Sequence, residues 1–416
     1  MPRQNFTRAA RLSILTAFCF LIMVVASGAQ IVSTLGTMAF TESNVIFDSA
    51  GNLYGTTQGG GGGNCASFGC GTVFELSPAS GGTWTFTILY SFTGGTDGQA
   101  PAAGLVLDSG GNLYGTTQNG GGSAACADGC GTVFQLLPAG GGTWTETVLH
   151  RFSGGIDGSQ PVAGLLLDSA GNLYGTAASG GASTAGVIFK LTHSSNGWNE
   201  TVLHNFIGTD GQYPESALIR DSAGRLYGTT AQGGAHSAGV VYRLAPTSSG
   251  WRIALLHDFT GGSDGYLPVG TLTFDAAGSL YGSTQGGGNK KVNLGSGLVY
   301  RLSRSGNTWR ETVLHTFTGG TDGGLPSAGV TFDAHGNLYG ATYGGVPAGC
   351  DSFYGCGQIF QLNQSAGKWG LGNLYPIPAW NPSFGGLTRR GTAGNLFFTA
   401  SDFHYFDFGA VYELTP

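Results

Sequence analysis

Asp48-Ser49-Ala50-Gly51-Asn52-Leu53-Tyr54-Gly55-Thr56-Thr57 is the stretch that decides the fold, because it returns along the chain. Near-copies surround Tyr114, Tyr174, Tyr227, Tyr281 and Tyr339, and a decayed seventh, Gly394-Asn395-Leu396-Phe397-Phe398-Thr399, ends the series. The leucines at 53, 113, 173, 226, 280, 338 and 396 stand 53 to 60 residues apart. That period is the length of one four-stranded blade with generous loops.

Outward from the block, each repeat divides into four β-rich runs separated by turn residues. In the second repeat these are strand a (Gly104 to Leu107), strand b (Asn112 to Thr116), strand c (Thr132 to Leu136) and strand d (Trp144 to Phe152). The pattern predicts an all-β, seven-bladed β-propeller of four-stranded antiparallel blades, one domain over residues 30–416. Strands a to c recur seven times, but the tryptophan of strand d recurs only at 84, 144, 198, 251, 309 and 369. The chain stops just after Val411-Tyr412-Glu413-Leu414, so the β-prone Ile31 to Leu35 is expected to supply the last blade's outer strand and remove a free edge.

Asp48, Asp108, Asp168, Asp221, Asp275 and Asp333 recur before a Gly-containing turn, where a short carboxylate bonds its own backbone; they read as turn caps. In strand d, Phe92, Phe152, Phe206, Phe259 and Phe317 follow the tryptophan by an even interval, which predicts both aromatics on one face, wedging blades together. His150, His204, His257 and His315 sit two residues before that Phe. Equivalent positions on different blades lie far apart, so these histidines read as structural and no metal is expected.

Composition sets the outer limits. With 78 Gly, 12% aromatic and only 10% charged residues, the 416-residue chain is turn-rich yet able to bury a core. A net charge of −6 without charge runs excludes an electrostatic footprint for nucleic acid. Arg3, Arg8 and Arg11 precede an apolar run from Leu12 to Val25 and small residues before Gln30, so residues 1–29 read as a secretory signal. A secreted or periplasmic, monomeric product with no membrane insertion after signal removal is expected. Six cysteines form local couples, Cys65 with Cys70, Cys126 with Cys130 and Cys350 with Cys356, which in an exported chain read as disulfides. Zinc would find only half a tetrahedron at each couple.

Strand alternation places the b–c and d–a loops on one face of the disc and the a–b and c–d loops on the other. The first face carries the cysteine couples and the Asp-Gly segments at Asp97, Asp157, Asp210, Asp264 and Asp322. It also carries the least regular loops, with Trp380 before the seventh blade, Asp402, Phe403, His404, Tyr405 and Asp407 within it, and Phe353 and Tyr354 in the sixth. Aromatics flanked by Asp and His suit stacking and hydrogen bonding to a glycan, a surface polymer or another polar ligand. The competing reading packs these rings into the seam between the chain ends. No nucleophile elbow, zinc-protease, phosphate-loop or calcium-loop motif occurs, and no cofactor is expected. A hydrolase or lyase built from carboxylates at the channel mouth, and a purely structural extracellular repeat protein, are the alternatives to a binding module.

Over residues 42–416 the chain resembles the GloVer tandem-repeat family of secreted bacterial proteins. The resemblance rests on the Gly-Asn-Leu-Tyr-Gly-Thr-Thr block, on Gly71 to Leu76 and on Gly94 to Gly98. It implies extracytoplasmic repeats and brings no catalytic motif.

Overall fold

The computed structural model describes all residues except 1–31, 39–40, 42, 64, 66–67, 289–294, 307, 346–356, 378–381, 391–393, 403–408 and 416. The described residues form seven antiparallel sheets, each a blade, and a single turn of 3₁₀ helix at Ser80–Gly82. Blade one is Ile46–Phe47, Leu53–Thr57, Thr72–Pro78 and Trp84–Ser91. Blade two is Val106–Leu107, Leu113–Thr117, Thr132–Gly140 and Thr143–Arg151, and blades three, four and five repeat the plan between Leu166 and Thr316. Blade six runs from Thr331–Phe332 to Lys368–Pro376, with Gly324–Pro326 added beside Leu338–Gly344.

In blade seven Asn395–Asp402 pairs with Thr388–Arg390 and Pro382–Phe384 on one side and with Gly409–Leu414 on the other. Val32–Met38 pairs antiparallel with Gly409–Leu414, Val32 opposite Leu414 and Met38 opposite Gly409.

The repeated block assigns one job to each residue. Asp108 accepts from the backbone N–H of Gly110 and Asn112 (2.8 and 2.9 Å) and from the Tyr114 hydroxyl (2.9 Å), which ties the a–b turn to strand b. Leu113 is fully buried. Gly115 leaves room for the ring of Phe134 on strand c, which a Cβ would meet at 2.5 Å. The next hydroxyl reaches across to the following blade: Thr56 donates to the Ala103 carbonyl (2.9 Å), Thr116 to Ala163 (3.2 Å), Thr176 to Ser216 (3.4 Å) and Ser283 to Ala328 (2.8 Å). Thr399 of blade seven donates to Ser43 ahead of blade one at 2.8 Å, so the same latch joins the two ends of the chain. In blade four the Thr229 hydroxyl is buried without a partner among the described residues, and blade six carries Ala341 there.

The expectation that Trp and Phe of strand d share a face is corrected. In blades one to five strand d carries one extra residue between its Trp and its Phe, and blade six has the same bulge ahead of Ile377; the ladder of blade two has a second irregularity at Pro138–Gly140, outside that interval. A bulge of one residue exchanges the faces of everything beyond it. Trp198 therefore packs edge-on against Tyr114 of the blade before (6.2 Å), whereas Phe206 packs against Tyr242 of the blade after (5.2 Å). The forward contact recurs as Phe92–Phe134, Phe152–Phe189, Phe259–Tyr300 and Phe317–Phe360, all at 5.1 to 5.3 Å. Each forward Phe is fully buried, worth about 1.5–3 kcal/mol in transfer from water.

Thr116→Val removes a latch and leaves the Ala163 carbonyl short of a donor, so it should destabilise by about 1 kcal/mol. Thr229→Val removes a hydroxyl without a partner among the described residues and should be neutral or stabilising, both variants being read by urea titration. A chain lacking residues 32–38 exposes the Gly409–Leu414 edge; it should melt earlier and lose amide protection at Val411 and Tyr412 first, as read by hydrogen exchange. Unchanged protection there would show that this strand does not close the ring.

Candidate functional site

On the face of the b–c and d–a loops, the backbone is held by short bridges such as Gln99 with Asn119 and Ser159 with Ser179, and by side chains. Asp97 accepts from the Thr93 N–H and hydroxyl (2.8 and 2.6 Å), and Asp157, Asp210 and Asp264 likewise accept the N–H of Ser153, Ile207 and Thr260 at 2.8 Å. The same carboxylates meet strand d of their own blade: Tyr90 donates to Asp97 at 3.1 Å, and His150, His204, His257 and His315 lie 2.9 to 3.6 Å from Asp157, Asp210, Asp264 and Asp322. These five aspartates are therefore anchors of their loops. They do not line the channel.

Disulfides Cys65–Cys70 and Cys126–Cys130 close two of the b–c loops, with Cα atoms 5.2 Å apart in each. Cys70 and Cys130 are fully buried beside Phe92 and Phe152, so each staple also fastens its loop into a blade seam. The pair Cys350 and Cys356 lies outside the described residues.

Between blades the tryptophan-side face of strand d brings a glutamate against the aspartate of the preceding blade. Glu146 faces Asp97 and Tyr90, Glu200 faces Asp157, and Glu311 faces Asp264, with His257 Nε2 3.9 Å from Glu311 Oε2. Burial, reinforced by the neighbouring aspartate, pushes Glu146 and Glu200 up to about 7 and Glu311 to about 8; Arg151 partly offsets this at Glu146. Burial holds His150, His257 and His315 below the usual imidazole range. Sequence reading missed these pairs, because Glu and Asp are about 50 residues apart and meet only across a seam. Among the described residues no group of three or more His, Cys, Asp or Glu is arranged to hold a metal ion.

The central channel encloses about 400 Å³ and is lined by all seven blades. At its equivalent inner position each blade contributes one lining residue: Asn44, Gly104, Gly164, Ala217, Thr271, Gly329 and Gly386. Glycine is needed there by close approach: a Cβ on Gly329 would lie 2.2 Å from the Thr271 carbonyl oxygen. At the end nearest the d–a loops the residue after each repeated proline lines the channel, and these are Ala102, Val162, Glu215, Val269 and Ser327. Glu215 is the one ionisable group among the described lining residues. Its surface is open to the channel, yet the crowded inner strands displace bulk water and raise its pKa.

Of the residues singled out from sequence, Trp380, Phe353, Tyr354, Phe403, His404, Tyr405 and Asp407 lie outside the described residues, as does the side chain of Asp402, whose backbone ends strand Asn395–Asp402. Glu215 escaped sequence reading because nothing but its position after Pro214 marks it.

The family model of the Gloeobacter/Verrucomicrobia repeat matches residues 29–222, 122–350 and 217–416. The chain belongs to this repeat family. The three matches overlap and together carry the repeat to the last residue, in agreement with the seven sheets. No curated relative matches the chain. Among solved structures it is similar to a candidate 6-phosphogluconolactonase from Bacteroides uniformis, with a TM-score of 0.53, 13% identity, and 84% of this chain and 89% of that one covered. It is also similar to a protein from Lactobacillus plantarum, with a TM-score of 0.50, 14% identity, and coverage of 87% and 95%. At such identities the likeness is one of fold. Among the described residues no helix is long and apolar enough to cross a membrane.

The seam glutamates predict an alkaline weakness. Their folded pKa lies above the unfolded 4.5, so the stability they contribute is present at low pH and is lost as pH rises through about 7 to 8. The depressed histidines act on the other limb, losing stability as pH falls below their unfolded 6.5. Replacing Glu146, Glu200 and Glu311 together by Gln should flatten the fall in Tm between about pH 4.5 and 8 and leave the histidine limb in place. An unaltered alkaline limb would mean that these seams do not titrate.

Proposed function

We propose that this protein is an extracytoplasmic binding module that recognises a glycan or another polar ligand on the face of the b–c and d–a loops. The observation that carries this reading is the construction of that face. Its loops are fixed by short disulfides sunk into the blade seams and by aspartates bonded within each loop, so a ligand meets a surface already ordered. Disulfides and the signal-like residues 1–29 support export, and nothing in the charge pattern invites nucleic acid.

Hydrolysis of a glycosidic bond ordinarily requires two carboxyl groups flanking one bond. The aspartates of this face are bonded into their own loops, and the described channel lining offers Glu215 alone, which supports binding over a hydrolase or lyase. In sequence Trp380, Phe403, His404, Tyr405, Phe353 and Tyr354 stand in the d–a and b–c segments of the repeat, with Asp402 and Asp407 among them. Rings there would stack on sugar C–H faces while the carboxylates accept hydroxyl protons.

A glycan array probed with residues 30–416 and with the double variant Trp380→Ala/Tyr405→Ala tests this. Binding by the first and a loss of roughly tenfold or more in the second is expected. Silence from both would sink the reading, and equal signals would move the site away from blades six and seven.

A further inference from the structure

Along the chain the charges form no run, yet the fold sorts them by face. Of the twelve Lys and Arg residues among the described ones, only Arg151 stands at the end of the b–c and d–a loops; the other eleven stand at the end of the a–b and c–d turns. Ten of those eleven belong to blades four to seven. The carboxylates at that end of the same blades are Asp221, Asp275, Asp333 and Glu413, which leaves an excess of six positive charges.

Each of these carboxylates is already bonded. Asp275 and Asp333 hold their own turns, Glu413 accepts from Asn395 at 2.6 Å, and Asp221 pairs with Arg225, the one ion pair that a Lys or Arg makes among the described residues. Arg220, Arg252, Arg304, Arg310, Lys368 and Arg389, by contrast, are exposed and face no carboxylate partner among the described residues. Arg220 and Arg389 stand on the inner strands Ile219–Arg220 and Thr388–Arg390, whereas the other four stand at the outer hairpins of blades four, five and six. Charges spread in this way from centre to rim meet a linear polyanion only in single file, whereas a charged plane reaches all of them.

The acidic loop face does not cancel this field. Strands of eight or nine residues set the two ends of a blade roughly 25 Å apart, about three times the screening length of ~8 Å at physiological ionic strength. We propose that the a–b and c–d end of blades four to seven is a peripheral docking surface for a bilayer of anionic phospholipid. The disc lies flat on the lipid phosphates without inserting, its loop face turned outward. This inference uses the opposite end from the glycan reading and stands or falls independently of it.

Co-sedimentation of residues 30–416 with mixed vesicles of phosphatidylglycerol and phosphatidylcholine, and with vesicles of phosphatidylcholine alone, tests it. Binding to the mixed vesicles only is expected, weakening roughly tenfold or more when salt is raised from about 0.05 to 0.5 M. Arg310→Gln should weaken it about fivefold, and Arg252→Gln/Arg304→Gln/Arg310→Gln/Lys368→Gln more than about a hundredfold, with a thermal melt of each to verify folding. Arg151→Gln removes the same charge from the loop face and should change nothing. Absence of binding, equal binding to both kinds of vesicle, or undiminished binding by the fourfold variant overturns the proposal. So does an equal loss in Arg151→Gln and Arg310→Gln, which would make net charge, not a face, responsible. Binding of soluble polygalacturonate with no binding of vesicles would give the patch to an acidic polysaccharide instead.

Discussion

The contact on which this architecture depends is the edge-on packing of a strand-d phenylalanine against an aromatic ring on strand c of the next blade. A four-stranded sheet has two faces and no interior, so it must bury both against neighbours. Phe152 on Phe189 buries the forward face of blade two, and Trp144 on Tyr54 buries the backward face. One bulge per strand d is what lets a single strand serve both directions. Repeated around the disc, these contacts make each blade's stability a property of its two seams.

Seam geometry in turn dictates the centre. Blades that approach closely enough for ring contacts of about 5 Å bring their inner strands together, so that a Cβ on Gly329 would meet the Thr271 backbone and one on Gly104 would meet Asn44. The hydroxyl latches from strand b to the next blade's inner segment fix that approach at Ala103, Ala163, Ser216, Ala328 and Ser43. The channel between the inner strands is lined by all seven blades, and Glu215 is the one charged position in its described lining. The loops beside it inherit their rigidity from the same seams, since Cys70 and Cys130 are packed into them.

The repeats are uneven where function and closure need them to be. Glu146, Glu200 and Glu311 have Phe86, Ile253 and Leu371 as counterparts in blades one, four and six, so three seams carry a carboxyl pair and three have an apolar residue at that position. At the seam between the chain ends Phe397 replaces the repeat's tyrosine and meets Trp84 at 6.4 Å and Phe47 at 4.8 Å. There is no aspartate in that turn for a tyrosine hydroxyl to serve, and the ring is fully apolar instead.

What the sequence determined by itself was local. Asp108 with Asn112 and Tyr114, and Cys126 with Cys130, act within a few residues of each other, so spacing alone revealed their roles. The fold was equally legible, because a blade-length period leaves few ways to bury both faces of every sheet. Tertiary structure decided what depends on distance across a seam. It set the opposite directions of Trp198 and Phe206, since no residue type marks the bulge between them. The meeting of Glu200 with Asp157 also belongs to it, because those carboxyls share a site only once two blades dock. Glu215 is the plainest case: in sequence it is one more residue after a proline, and only the closed ring sets it in the lining of a channel.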